Sequence, residues 1–180
     1  TPSNLTTSNA FYLPFAKRFY KTIRNVREKT CILLQTQEFI KLPNWDLEKD
    51  GDDVLVGRHF YDPILTEFSW FQNMYSVNEV THVPIFGTYF IEKHFKQHIG
   101  KMKQLVKSYV GKAPFLLGET GFVMDIKWGF FRRGTSIEKN DYTYVAKGAD
   151  RMFNAIEANL ANVSVSCYDI FNTLKGGDGF

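Results

Sequence analysis

One pattern constrains this chain more than any other: short uninterrupted apolar runs of strand length alternate with longer segments whose apolar residues recur at helical spacing. The apolar runs are CILLQ at 31–35, VLVGRHFY at 54–61, PFLLGE at 114–119 and VSVSCY at 163–168. Before the first of them, Phe15, Phe19, Ile23 and Val26 share one helical face while Lys17, Arg18, Lys21 and Arg24 cover the other. Near residues 89–109, Phe95, Ile99, Met102, Val106 and Tyr109 mark a second helix that Gly111 is placed to end, and Ala149, Met152, Phe153, Ile156 and Leu160 mark a third. The turn formers of 42–53 and a long charged stretch from Thr120 to about Asp141 read as loops. Continuous apolar strands alternating with amphipathic helices predict an α/β protein with a parallel sheet covered by helices.

Composition narrows the function classes. With 44% hydrophobic and 23% charged residues the chain is not disordered, and no apolar run approaches the roughly 18 residues of a membrane span. A net charge of +3 without any block of like charges does not argue for nucleic acid as a partner. Two cysteines, Cys31 and Cys167, supply neither a disulfide framework nor zinc-ligand spacing; both lie in predicted strands and read as packing residues. The compartment stays open, because the glycosylation triplets at Asn4 and Asn162 do not fix a secretory route. The first residues lack an initiator Met and a signal-peptide profile, and the last, KGGDGF, resemble mid-loop sequence, so the chain is expected to be a piece of a longer protein.

In α/β folds, loops leaving the carboxyl ends of the strands build the active site, so polar residues closing an apolar run are the candidates. The first run ends near Gln35 and Gln37, the second in His59 and Tyr61, the third in Glu119, and the fourth in Ser166, Cys167 and Tyr168. A carboxylate delivered by four apolar residues and a glycine is costly to desolvate, which suits an acid, base or nucleophile in a cleft. It equally suits a helix cap or a partner for Arg58. His59 and Tyr61 share a strand face by the period of two. Asn78-Glu79 reads as part of a solvated loop, and His94 and His98, four apart on a helix, as solvated surface without a third ligand for a metal.

Taken together, G-R-H-F-Y-D-P, S-V-N-E-V, P-F-L-L-G-E-T-G-F-V-M-D-I and N-V-S-V-S-C-Y-D-I-F-N with G-D-G-F resemble, in order and spacing, the later half of glycoside hydrolase family 5. The branch it is most similar to is the endoglycoceramidase-related one, which includes glucosylceramide and steryl glucoside β-glucosidases. The resemblance runs from about Phe11 to Phe180 and implies the carboxyl-terminal half, strands five to eight, of a (β/α)8 TIM barrel truncated at both ends; a whole barrel needs about 250 residues. It implies a retaining β-glycosidase acting on a glycolipid, with Glu119 as nucleophile, Tyr61 orienting its carboxylate and His59 lining the pocket. No metal or organic cofactor is implied. The family's acid/base, an Asn-Glu pair after strand four, would lie upstream of residue 1. At strand eight the family's sugar-platform Trp falls on Ser166, with Tyr168 two places on, so Tyr168 or Trp128 would have to supply the stacking ring. That departure leaves open a non-catalytic glycan- or lipid-binding remnant of the same fold. The aromatic stretches FSWFQNMY at 68–75 and WGFF at 128–131 are expected either to meet a lipid aglycone, by peripheral contact, or to pack on each other. A half barrel leaves two open sheet edges, so self-association is expected.

Overall fold

The computed structural model describes residues 8–36, 41–68, 74–121, 123–127 and 134–166. A π-helical turn, Ser8–Tyr12, leads into α1 (Leu13–Val26). In chain order follow β1 (Ile32–Gln35), α2 (Leu47–Asp50), β2 (Val54–His59), α3 (Pro63–Phe68), β3 (Tyr75–Val77), β4 (Pro84–Phe86), α4 (Thr88–Val110), β5 (Phe115–Gly121), α5 (Ser136–Lys139), α6 (Thr143–Glu157) and β6 (Asn162–Ser166). The four predicted strands and three predicted helices are all present. Not expected were α3, the antiparallel β3–β4 hairpin and the short helices α2 and α5 inside segments read as loops. No helix among the described residues is long and apolar enough to cross a membrane.

The strands form one sheet in the order β1-β2-β5-β6, with helices in each connection, an α/β arrangement. β1 and β2 are parallel, Ile32 lying beside Val54 and Gln35 beside Gly57. Between β2 and β5 the Val56 amide donates to the Pro114 carbonyl and the Phe60 amide to the Glu119 carbonyl, at 2.9 and 3.1 Å. The partners advance in the same direction, which makes this pair parallel as well. β2 advances four residues between these bonds and β5 advances five, so β5 carries one extra residue, a β-bulge. The burial along β5 agrees: alternation holds through Leu117, then Gly118 and Glu119 are both half-buried and Thr120 is fully buried.

The chain packs as two compact units. The first comprises residues 1–59 and 100–118. Its core includes Ile32, Leu34, Val54, Val56, Phe115 and Leu117 from the strands and Met102 and Val106 from the later turns of α4. Here α1 departs from the expected orientation. Ala16 and Tyr20 are the buried positions, whereas Phe15, Phe19 and Val26 are exposed. The reason is the loop before α2: Trp45 is buried there and takes the Tyr20 ring edge-on at a centroid distance of 5.5 Å, while Lys17 pairs with Asp50 at 2.7 Å. A large aromatic arriving from a distant loop chose the face, not the helix's own apolar stripe. Cys31 also departs from expectation, since it is exposed just before β1.

The second unit comprises 60–99 and 119–180. Phe60 sits at its centre, edge-on to Phe95 of α4 at 5.1 Å, with Ile91, Ile99, Met152, Ala155 and Ile156 also buried. Asp62 starts α3 by accepting hydrogen bonds from the amides of Ile64 and Leu65, with Pro63 at the first helical position, where a missing N–H is no loss. The other carboxylate oxygen of Asp62 lies 3.5 Å from Arg151 of α6, and both side chains are almost wholly buried. Burial pushes the Asp62 carboxyl up despite Arg151 and the two amides, and lowers Arg151 against the pull of Asp62. Gly111, with φ of 75°, closes α4 by donating to the Lys107 carbonyl, as its position predicts.

Breaking a buried ion pair from one side strands the other charge. Arg151→Met is therefore expected to lower stability by about 3–5 kcal/mol, and the double change Arg151→Met with Asp62→Asn to recover a large part of it. Urea denaturation of the three proteins checks this, and equal stability of Arg151→Met and the parent protein would refute it.

Candidate functional site

The bulge decides what β5 presents. Because the Phe60 amide bonds to the Glu119 carbonyl, Thr120 is the residue that stands beside Phe60 on the helix-covered side, and it is fully buried there. Glu119 and Gly121 consequently point to the opposite face. Without the extra residue, Glu119 would occupy the place of Thr120, where an ionised carboxylate is costly. Tyr61 belongs to the same face as Gly121. A Cβ on Gly121 would stand 3.3 Å from the Tyr61 ring and 2.4 Å from the Ser166 carbonyl oxygen of β6, so only glycine lets β5 and β6 close together here. Glu119, Tyr61 and Ser166 are each half-buried, as suits groups that meet a ligand or solvent.

His59 ends β2 half-buried, and its Nε2 is hydrogen-bonded to the side-chain amide of Gln35 at the end of β1. The Gln35 amide oxygen lies over Gly57 and Gly118, whose missing side chains leave it room. Gln35 and His59, read separately from the sequence as polar strand ends, are thus one hydrogen-bonded pair. Arg58 points to the other face of β2, is buried, and donates to the Thr36 hydroxyl at 3.5 Å. Tyr168 and Trp128 lie outside the described residues, as does Cys167.

Two sequence expectations are corrected by the connection between β2 and α4. Glu79 is not solvated but buried in the turn after β3, and His94 and His98 are not open helix surface. His94 Nε2 stands 3.0 Å from one Glu79 carboxylate oxygen and His98 Nδ1 pairs with the other. Burial alone would raise the Glu79 carboxyl, but hydrogen bonds from His94 and His98 outweigh it and hold the pKa down to about 2. His94 and His98 drew attention by their spacing of four, but Glu79 carried no local sign, because the turn that brings it to the helix is set by pairing of two short strands. These three residues are the only group among those described with the geometry to hold a metal ion.

Comparison with known proteins bears out the resemblance read in the sequence. The chain is 23% identical over 176 residues to a glucosylceramidase of Rhizopus delemar, a match spanning 93% of this chain and 25% of that protein. Its fold is that of sterylglucosidase 1 from Cryptococcus neoformans, with a TM-score of 0.83, 18% identity, and coverage of 97% of this chain and 26% of that one. Subunit Z of the cellulose synthase from Clostridioides difficile follows at a TM-score of 0.59 and 13% identity, covering 96% of this chain and 51% of that one. The chain thus spans about a quarter of the length of the curated relative it matches. No family model matches it.

Gly121→Ala tests the strand junction. The added methyl must displace the Ser166 backbone, so a loss of about 1–3 kcal/mol is expected, with faster hydrogen exchange concentrated in β6. Unchanged thermal stability and unchanged exchange in 162–166 would contradict it.

Proposed function

We propose that this chain carries the nucleophile and part of the sugar site of a retaining β-glycosidase acting on a glycolipid, with residues 1–180 contributing the later strands of its barrel. The observation that carries the reading is the bulge in β5, which turns Glu119 away from the helix-covered side and toward the face of Tyr61. Bulges commonly re-aim a side chain beside an active site. The likeness to a glucosylceramidase along nearly the whole chain supports the reaction class, and the fold shared with sterylglucosidase 1 supports the barrel.

In this reading the Glu119 carboxylate attacks the anomeric carbon and forms a glycosyl ester as the aglycone oxygen leaves. Tyr61 donates a hydrogen bond that orients the carboxylate, and His59, held by Gln35, offers a polar group to the sugar hydroxyls. A second carboxyl group, roughly 5–5.5 Å from Glu119, protonates the leaving oxygen and then deprotonates the water that releases the sugar. By the resemblance, that group would come from an earlier strand of the barrel. Ser166 takes the place of the family's platform Trp and leaves stacking on the sugar to another ring, with Tyr168 the nearest in sequence.

A lipid aglycone is favoured over a purely sugar one by the surface after β2. Met74, Val80, Val83, Phe86, Tyr89 and Phe90, from the β3–β4 hairpin and the first turn of α4, are all exposed. Exposed apolar side chains on one hairpin and the helix turn that follows it suit contact with a hydrocarbon or sterol.

Incubation of the protein with a 2-deoxy-2-fluoro-glucoside bearing an activated leaving group is expected to place a covalent label on Glu119, located by peptide mapping. Glu119→Gln should abolish the label and, in the complete enzyme, lower turnover by at least about 10³-fold while leaving the circular dichroism unchanged. A label on another carboxylate, or turnover surviving in Glu119→Gln, would overturn the assignment.

A further inference from the structure

We propose that Glu79, His94 and His98 form a binding site for a divalent transition-metal ion of the zinc class, which ties the β3–β4 hairpin to α4. The group shares no residue with those assigned to glycoside chemistry. Each of the three offers one ligand atom, and these atoms all lie within 4.8 Å of one another. A tetrahedral zinc ion about 2.1 Å from each would hold them about 3.4 Å apart, a change that modest rotations of the two imidazoles supply.

Each ligand is positioned by something other than its neighbours in the group. His94 and His98 stand on successive turns of α4, so the helix aims both rings to one side. The His98 ring stacks on Phe60 at 4.8 Å with an interplanar angle of 26°, and Phe60 is itself wholly buried, so the ring is backed on one face. Glu79 sits in a turn locked by Asn78, whose side-chain oxygen accepts from the amides of Val80 and Thr81 and whose carbonyl accepts from His82. β3 and β4 then anchor that turn, with Val77 opposite Pro84. A hairpin and the helix that follows it thus bring three ligand-type side chains together.

The chemistry of the donors selects the ion. Two imidazole nitrogens and one carboxylate oxygen suit zinc and its neighbours, whereas calcium and magnesium prefer all-oxygen shells. A carboxylate with 8% side-chain exposure is costly to keep charged unless a cation stands beside it. A divalent ion supplies that charge. The imidazoles are only 14% and 11% exposed, so the ion would be largely shielded, with a water as the fourth ligand.

The test begins with purified protein dialysed against a chelator and then into metal-free buffer. Cobalt(II) chloride is titrated while the visible spectrum is recorded, and zinc sulfate is added in competition. Expected are absorption bands of a tetrahedral site saturating at one equivalent, their loss on adding zinc, and a rise in Tm of about 5–10 °C at a hundredfold excess of zinc over its Kd. Magnesium chloride should do neither. Glu79→Gln is expected to weaken zinc binding at least tenfold, and His98→Ala to abolish the cobalt bands. If His98→Ala fails to fold, Glu79→Gln and the wild-type spectrum decide the matter. No saturable cobalt or zinc binding to the wild-type protein would overturn the proposal. Binding that persists unchanged in Glu79→Gln would overturn it equally, by placing the ion elsewhere, for example on His59 or His82.

Discussion

The placement of Glu119 depends on one backbone hydrogen bond, from the Phe60 amide to the Glu119 carbonyl. Parallel strands leave little freedom in register once one face is buried, because a slip of one residue exchanges the two faces. Phe60 cannot leave the core, since Phe95 and His98 pack on its ring. The bond therefore ties the facing of β5 to a wholly buried aromatic of its unit. The extra residue in β5 lets Leu117 and Thr120 both stay buried on the helix side while Gly118 and Glu119 escape it. A single bulge thus reconciles a hydrophobic strand with an outward carboxylate, which uniform alternation through Leu117 and Glu119 would not allow.

Buried polar groups organise the connection that follows β2. Asp62 caps α3 and pairs with Arg151, which also lies over the Phe95 ring at 5.9 Å, so one carboxylate joins a short helix to α6 and to the aromatic core. Glu79 does the same for the hairpin and α4. Both carboxylates come from irregular segments and both meet cationic or imidazole groups on long helices. Irregular chain gains little from repetitive backbone hydrogen bonding, so a buried charged contact is an effective way to hold it in one position.

Much of the fold was legible in the sequence. The strands at 54–61 and 114–119 and the stripe Phe95, Ile99, Met102 and Val106 on α4 lie where their spacing puts them, and those four side chains are all buried. Periodicity reports the face of an element correctly when that element is buried by its nearest neighbours. It misled at α1, where Phe15 and Phe19 form the more apolar stripe but Ala16 and Tyr20 are the buried pair, because Trp45 from a loop selected them. It was silent on the hairpin, whose strands have three residues each, too few for a period of two to register. Of the candidate site, a carboxylate after P-F-L-L-G was visible as a strand-end residue, and so were His59 and Tyr61. The bond between Gln35 and His59 and the closeness of Gly121 to Ser166 were not, since both join residues whose distance in sequence carries no signal.

By itself, the sequence determined the alternation of strand and helix, the parallel sheet, and the residue types that close each strand, because these follow from local hydrophobic periods and from the cost of desolvating a carboxylate. Tertiary structure alone decided the register of β5 against β2, the face taken by Glu119, the burial of Glu79 between two histidines and the outward turn of the α1 aromatics. The physical reason is common to all four. Each depends on a contact between groups in different elements, and such contacts are selected by packing and pairing across the fold rather than by any pattern within a single element.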